Sequence, residues 1–214
     1  MSLLMVREGK ALSLKELGTS PAARPRHAVA LAASAGGLAA LSKVLSALPR
    51  DFAAPLLVVL HVDPRHRSWL AEILERQVTL EVGQAKGGER LEAGRIYVAP
   101  PDHHLLVGGD GLLGLSGVAR VQHVRPSADL LFASLAEAWG SGAIAVVLTG
   151  TGRDGADGVI AVKRHGGRVI VQDEASSEFF GMPEAAARTG AADRVLPLDE
   201  IAPALVSMTQ GGKD

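Results

Sequence analysis

Residues 144–159 read IAVVLTGTGRDGADGV. The apolar, β-branched run at its start has the character of a buried strand. The glycines break that strand, and from Gly155 onward the spacing becomes helical, so the stretch reads as strand, loop and helix, the repeating unit of an α/β fold. The loop itself has two readings. Gly150, Gly152 and Gly155 spell G-x-G-x-x-G, and Asp173 stands 18 residues after Gly155, near the separation expected of a ribose-binding acid in a dinucleotide fold. Against a nucleotide, Asp154 lies inside the loop, where its charge would oppose a pyrophosphate. Little chain also follows Gly155 for the rest of such a fold. In the second reading the glycines let the chain turn tightly around Asp154 itself.

The same alternation extends outward in both directions. HAVALAAS (27–34) is a short apolar run, followed by glycines and then the helically spaced LAALSKVLSALPR (38–50). APLLVVLHV (54–62) is continuously apolar and precedes SWLAEILERQ (68–77), again helical. PSADLLFASLAEAWG (126–140) reads as a helix with Pro126 and Ser127 at its start, AIAVVLT (143–149) as a strand, and GADGVIAVKRHGG (155–167) as a helix stopped by Gly166 and Gly167. RVIVQDE, MPEAAARTG, DRVLPL and DEIAPALVSMTQ continue as strand, helix, strand and helix. The middle differs: GRIYVAPPDHHLLVGGDGLLGLS (94–116) carries Gly-Gly-Asp-Gly between apolar stretches, a hairpin signal. The expected fold class is α/β, doubly wound, with a mainly parallel sheet, helices on both faces and a small antiparallel hairpin region. Residues 1–26, with the linker-like GTSPAARPR, read as an N-terminal tail, and residues 27–210 as one domain.

Composition narrows the function. The 214 residues are 47% hydrophobic and 21% charged, with a net charge of −1, so no basic field is offered to nucleic acid. With no cysteine there can be no disulfide, no thiolate zinc site and no cysteine nucleophile. No apolar run reaches the length of a bilayer span, and the first residues are too charged for a signal peptide, so a cytoplasmic location is expected.

In open parallel sheets, ligands bind beyond the carboxyl ends of the strands. VALAAS ends at Ser34, LLVVLH ends at His61, and AVVLTGTGRD ends at Asp154. A hydroxyl, an imidazole and a carboxylate on one sheet edge have the composition of a Ser-His-Asp triad. Each has a plainer reading alone: Ser34 and Asp154 as caps of the helices that follow, His61 as a structural histidine. Caps, however, need not converge on one edge, whereas a triad must. His61 with His66, or Asp102 with His103 and His104, match no defensible metal-ligand spacing, and solvated loop histidines are expected there. The SAGG turn after the first strand leaves backbone N–H groups at a helix start, able to stabilise an oxyanion or hold a phosphate.

With these motifs the chain resembles the catalytic domain of the chemotaxis protein-glutamate methylesterases, the CheB family. AASAGGLAAL, VVLHVDPRHRSWLAEIL and VVLTGTGRDGADGV resemble that family's serine, histidine and aspartate segments. GRIYVAPPDHHLLV, HVRPSADLLFASLA, VQDEASSEFFGMPEAA and AADRVLPLDEIA extend the likeness from about His27 to the last helix. The resemblance implies a methylesterase with Ser34 as nucleophile, His61 as base and Asp154 as its orienting acid. Ala35 and Thr151 are the candidate backbone oxyanion donors, with no metal or organic cofactor. The implied partners are methylated cytoplasmic helices of chemoreceptors, with amidase action on receptor glutamines as a second, harder reaction. The alternatives are a non-catalytic ligand- or receptor-binding module, or an esterase for a different methylated protein. Ala32, Leu60 and Thr151 stand where the family commonly has glycine, glutamine and methionine. Many members also carry a phosphorylatable receiver ahead of the esterase. The 26 residues before His27 are too few for one, so the expectation is a standalone domain without control by a fused receiver, with a separate regulator left open.

Overall fold

The computed structural model describes residues 24–61 and 68–210. Its main sheet has seven strands, all parallel: β1 (Ala28–Ala33), β2 (Leu56–Leu60), β3 (Glu81–Gln84), β4 (Arg95–Val98), β7 (Ala143–Val147), β8 (Arg168–Gln172) and β9 (Arg194–Leu196). Their order across the sheet is β3-β4-β2-β1-β7-β8-β9. Between β4 and β7 the chain forms the antiparallel hairpin of β5 (His104–Val107) and β6 (Leu113–Ser116), turning through the Gly-Gly-Asp-Gly stretch. The helices are α1 (Gly37–Ser46), α2 (Leu70–Glu75), α3 (Ala128–Trp139), α4 (Ala156–Arg164), α5 (Gly181–Arg188) and α6 (Leu198–Thr209).

This is the doubly wound arrangement expected from the alternating pattern. Two details differ. The edge strand β3 was not legible, because EVGQ lacks an apolar run and its residues are exposed or half-buried. GRIYV, read as part of the antiparallel region, instead pairs in parallel with β2 and β3. His104, expected to be a solvated loop residue, is fully buried at the start of β5; His103 beside it is exposed, and His66 lies outside the described residues.

The sequence of β1 explains how both faces are covered. All six of its residues are fully buried. Ala28, Ala30 and Ala32 face one core with Leu131, Phe132, Leu135 and Trp139 of α3. Val29, Leu31 and Ala33 face the other, with Leu41, Val44 and Leu45 of α1 and Ile201 and Leu205 of α6. The alanine row keeps one face shallow, so the bulky α3 side chains meet the sheet closely. Each fully buried Leu or Phe contributes about 1.5–3 kcal/mol.

From β1 the sheet builds one way through β2, and from β7 the other way through β8. The crevice at such a reversal is where open α/β sheets place ligands. Arg24 and Pro25, read from sequence as linker, are seated on the domain. The Arg24 guanidinium lies 3.6 Å from the centroid of the Trp139 ring, and Trp139 Nε1 donates to the Pro25 carbonyl at 3.1 Å. Among the described residues no helix is long and apolar enough to cross a membrane.

α3 and α4 approach each other closely at Gly158. A Cβ there would stand 2.8 Å from Phe132 Cβ and 2.9 Å from Asp129 Cα. Alanine ordinarily stabilises a helix interior by about 1 kcal/mol over glycine. Here part of the obstacle is backbone, and overpacking of about 1–3 kcal/mol decides the sign. Gly158→Ala is therefore expected to lower stability, read as a lower urea midpoint with an unchanged slope.

Candidate active site

Ser34 and His61 are the first residues beyond β1 and β2, and the parallel register holds them side by side. The His61 N–H donates to the Ala33 carbonyl at 3.1 Å, continuing the ladder one step past the strands. On the other side, Ser34 N–H donates to the Thr149 carbonyl at 3.0 Å, tying the serine to the end of β7. Ser34 and His61 line one open groove of about 540 Å³, with Gly36, Leu38, Leu60 and Glu178 among its walls. Ser34 does not cap α1: the N-cap is Gly36, and Ser34 contributes its carbonyl to Gly37 N–H at 2.9 Å.

Asp154 meets His61 directly. His61 Nε2 and Asp154 Oδ2 are 2.9 Å apart, the His61 side chain being 11% exposed and that of Asp154 4%. With Nε2–H donated to the carboxylate, Nδ1 is the nitrogen that keeps its lone pair. Asp154 does not cap α4, whose N-cap is Gly155. It caps α3 instead. Its carboxylate accepts Ala128 N–H at 2.6 Å, Asp129 N–H at 3.2 Å and the Ser127 hydroxyl at 2.7 Å. Burial works to raise the pKa of Asp154, but the bonds from His61, Ala128 and Ser127 outweigh it and hold the carboxyl below the usual carboxylate range.

The favour is returned from α3. Asp129, in its first turn, accepts Gly155 N–H at 2.9 Å and Gly158 N–H at 2.8 Å, capping α4. Gln122 Nε2 donates to its other oxygen at 2.7 Å. Asp129 is 7% exposed, and burial, then the neighbouring Asp154 charge, push it up to about 6. Its role was not read from the sequence, although a signal exists. Asp129 lies three residues before Phe132 and seven before Ala136, on the buried stripe of α3, where an acid needs partners.

The glycines of the TGTGRDG loop serve the site. Gly152 and Gly155 adopt positive φ angles of 86° and 99°. Gly150 is demanded by closeness: a Cβ there would lie 2.4 Å from Met182 Sδ and 2.8 Å from Ser34 Cβ. Asp173, the would-be ribose ligand, accepts Ser176 N–H at 3.0 Å and the Ser176 hydroxyl in a local turn. Thr149, also unread from sequence, links three segments. Its N–H goes to the fully buried Gln172 Oε1 at 2.8 Å, while its hydroxyl accepts from Phe179 N–H at 2.9 Å and reaches the Ala35 carbonyl at 3.1 Å. The backbone N–H groups of Ala35 and Thr151 have no hydrogen-bond partner among the described residues. No cluster able to hold a metal ion occurs among those residues either.

A serine, a histidine and a buried aspartate at the reversal point of a doubly wound parallel sheet make an α/β domain whose site has triad composition. The model of the CheB methylesterase family matches residues 29–205, and the chain belongs to that family. It is 42% identical over 200 residues to protein-glutamate methylesterase/protein-glutamine glutaminase 3 of Burkholderia orbicola (strain AU 1054), covering 94% of this chain and 59% of that one. It is 45% identical over 182 residues to protein-glutamate methylesterase/protein-glutamine glutaminase 2 of Anaeromyxobacter dehalogenans (strain 2CP-C), covering 85% and 53%. The chain thus spans between half and three-fifths of the length of these curated relatives. The crystal structure of the Thermotoga maritima CheB methylesterase catalytic domain superposes with a TM-score of 0.82 at 36% identity, covering 85% of this chain and 98% of that one.

The Gly150 contacts give a test of how tightly the loop packs against the serine. Gly150→Ala drives a methyl group into Ser34 Cβ and Met182 Sδ, and overpacking of this kind costs about 1–3 kcal/mol. The thermal midpoint of this variant should fall below that of the unsubstituted chain, read by calorimetry.

Proposed function

We propose that this chain is a serine hydrolase that demethylates glutamate methyl esters on the cytoplasmic helices of chemoreceptors, and that the same groups hydrolyse receptor glutamine amides. The observation that carries this reading is the buried His61–Asp154 hydrogen bond opening onto the groove that also holds Ser34. Relatives at 42% and 45% identity, named as protein-glutamate methylesterases and protein-glutamine glutaminases, supply the substrate class.

The chemistry follows from the hydrogen bonding. Asp154 fixes the proton on His61 Nε2, so Nδ1 is the base that takes the Ser34 proton as Oγ attacks the ester carbonyl. Imidazolium forms, and its charge is balanced by Asp154, which is held ionised by donors from α3. The tetrahedral oxyanion is assigned to the N–H groups of Ala35 and Thr151. Collapse expels methanol, protonated by His61. Water then repeats the sequence on the acyl-enzyme and leaves a glutamate carboxylate. A glutamine amide takes the same path with ammonia as a poorer leaving group. No metal or organic cofactor is required by these steps. A chain that acts on such receptor helices would work in the cytoplasm, where they lie.

The test is methanol release from a methylated receptor cytoplasmic fragment. The unsubstituted chain should release it and Ser34→Ala should not. Asp154→Asn is expected to lose about four orders of magnitude in kcat. Its amide would donate to Nε2, moving the imidazole proton to Nδ1 and removing the base. Turnover by Ser34→Ala equal to that of the unsubstituted chain would remove Ser34 from the mechanism. No release by either protein would refute the receptor-ester assignment.

A further inference from the structure

Asp129 sits behind the site, and the chemistry above leaves it unused. It is buried and touches no groove residue directly. Even so, it receives three donors from two segments: Gly155 and Gly158 N–H from the start of α4, and the Gln122 amide. Gln122 and His123 form the tip of a tight turn with φ angles of 47° and 70°, a left-handed conformation that non-glycine residues adopt only at an energetic cost. The Val121–Val124 bridge closes this turn. A strained turn that delivers an amide to a buried carboxylate is more than packing requires, because an apolar side chain at 129 would need neither.

We propose that Asp129 is a positioning residue for the His61–Asp154 pair. It anchors the Asp154 turn through the first N–H groups of α4 and sets a second buried negative charge behind Asp154. This rests on the hydrolase reading above. The imidazolium formed during the reaction then touches Asp154, whose turn is hydrogen-bonded to a second carboxylate, Asp129. Removing that second charge destabilises imidazolium, in the ground state and in the transition state alike.

The other charges around Asp129 are accounted for. Asp157, in the first turn of α4, adds negative potential, but it is exposed and ion-paired with Arg153 at 3.1 Å. His104, on β5, is kept neutral at pH 7 because burial, and then Arg125, lower its proton affinity. Asp154 is ionised. Burial and the Asp154 charge raise Asp129 to about 6, so its own charge is present at neutral pH and is lost as pH falls through that value.

The test uses Asp129→Asn and Asp129→Ala in the full chain. Asparagine keeps a carbonyl for Gly155 and Gly158 but removes the charge, whereas alanine removes both. Asp129→Asn should keep KM within about twofold, lose roughly three- to tenfold in kcat, and move the acid limb of kcat/KM about half a pH unit lower. Asp129→Ala should also unfold more readily, with Asn restoring stability but not the acid limb. A merely structural Asp129 predicts the reverse: Asn restores everything and the acid limb stays in place, which would overturn the proposal. A second measurement needs neither turnover nor a variant. In the unsubstituted protein, carbon-detected titration should show the Asp129 carboxyl taking its proton near pH 6, with an inflection in the His61 ring resonances at the same pH. His61 resonances without an inflection at the pH where Asp129 takes its proton would overturn the proposal even if the receptor ester proves not to be the substrate.

Discussion

Two carboxylates exchange helix ends. Asp154, just before α4, caps α3; Asp129, in the first turn of α3, caps α4. Either charge alone, taken out of water, would cost several kcal/mol. Together they collect seven donors: four backbone N–H groups at two helix starts, the Ser127 hydroxyl, the Gln122 amide and the His61 ring. Each cap contributes about 1 kcal/mol, and a helix N-terminus adds favourable potential for an anion. The exchange also fixes geometry. The start of α3 cannot move relative to the start of α4 without breaking bonds at both carboxylates. Asp154 therefore reaches His61 from a clamped position, although it lies on a loop.

The rest of the site is registered to this clamp through the sheet. β1 pairs with β2 on one side and β7 on the other, so Ser34, His61 and the glycine loop arrive at the same level. The first backbone bonds beyond the strands, His61 N–H to Ala33 and Ser34 N–H to Thr149, carry that register past the edge of the sheet. Gly150 then lets the β7 loop touch Ser34 at the distance of bare backbone. The segment from Asp173 to Phe180 is bound in turn by the Thr149 hydroxyl, which accepts Phe179 N–H, and by the side-chain amide of Gln172, which donates to the Ser176 carbonyl while its oxygen accepts Thr149 N–H. Three strand ends thus share one set of constraints.

This division explains what could be read from sequence. Long apolar runs specify strands buried on both faces, and the alternation with helical spacing specifies a parallel sheet, so the strand-end positions of Ser34, His61 and Asp154 followed from pattern alone. β3 escaped because an exposed edge strand carries no apolar run, and the parallel pairing of β4 escaped because pairing partners are distant in sequence. Asp129, Ser127, Thr149 and Gln172 escaped for a different reason. Each acts through a hydrogen bond to a residue 23 to 30 positions away, and no local period records such a bond. The Ser127 position was read as part of a helix start, which is correct, yet its hydroxyl is spent on Asp154 rather than on its own helix.

The G-x-G-x-x-G coincidence shows why a motif needs its surroundings. In a dinucleotide turn, the glycines admit a pyrophosphate to a helix N-terminus, whose N–H groups must be free to receive it. Here Gly155 and Gly158, at the start of α4, are already committed to Asp129. The acid that the motif requires downstream, Asp173, closes a turn on Ser176. The anion that α4 holds is part of the chain itself. A helix start that is filled by a buried carboxylate has no remaining attraction for a phosphate, and the same glycines that would admit one instead allow Asp154 to turn inward and α3 to pack against α4. The loop has one spacing with two physical uses, and what decides between them is an aspartate on the buried face of a neighbouring helix.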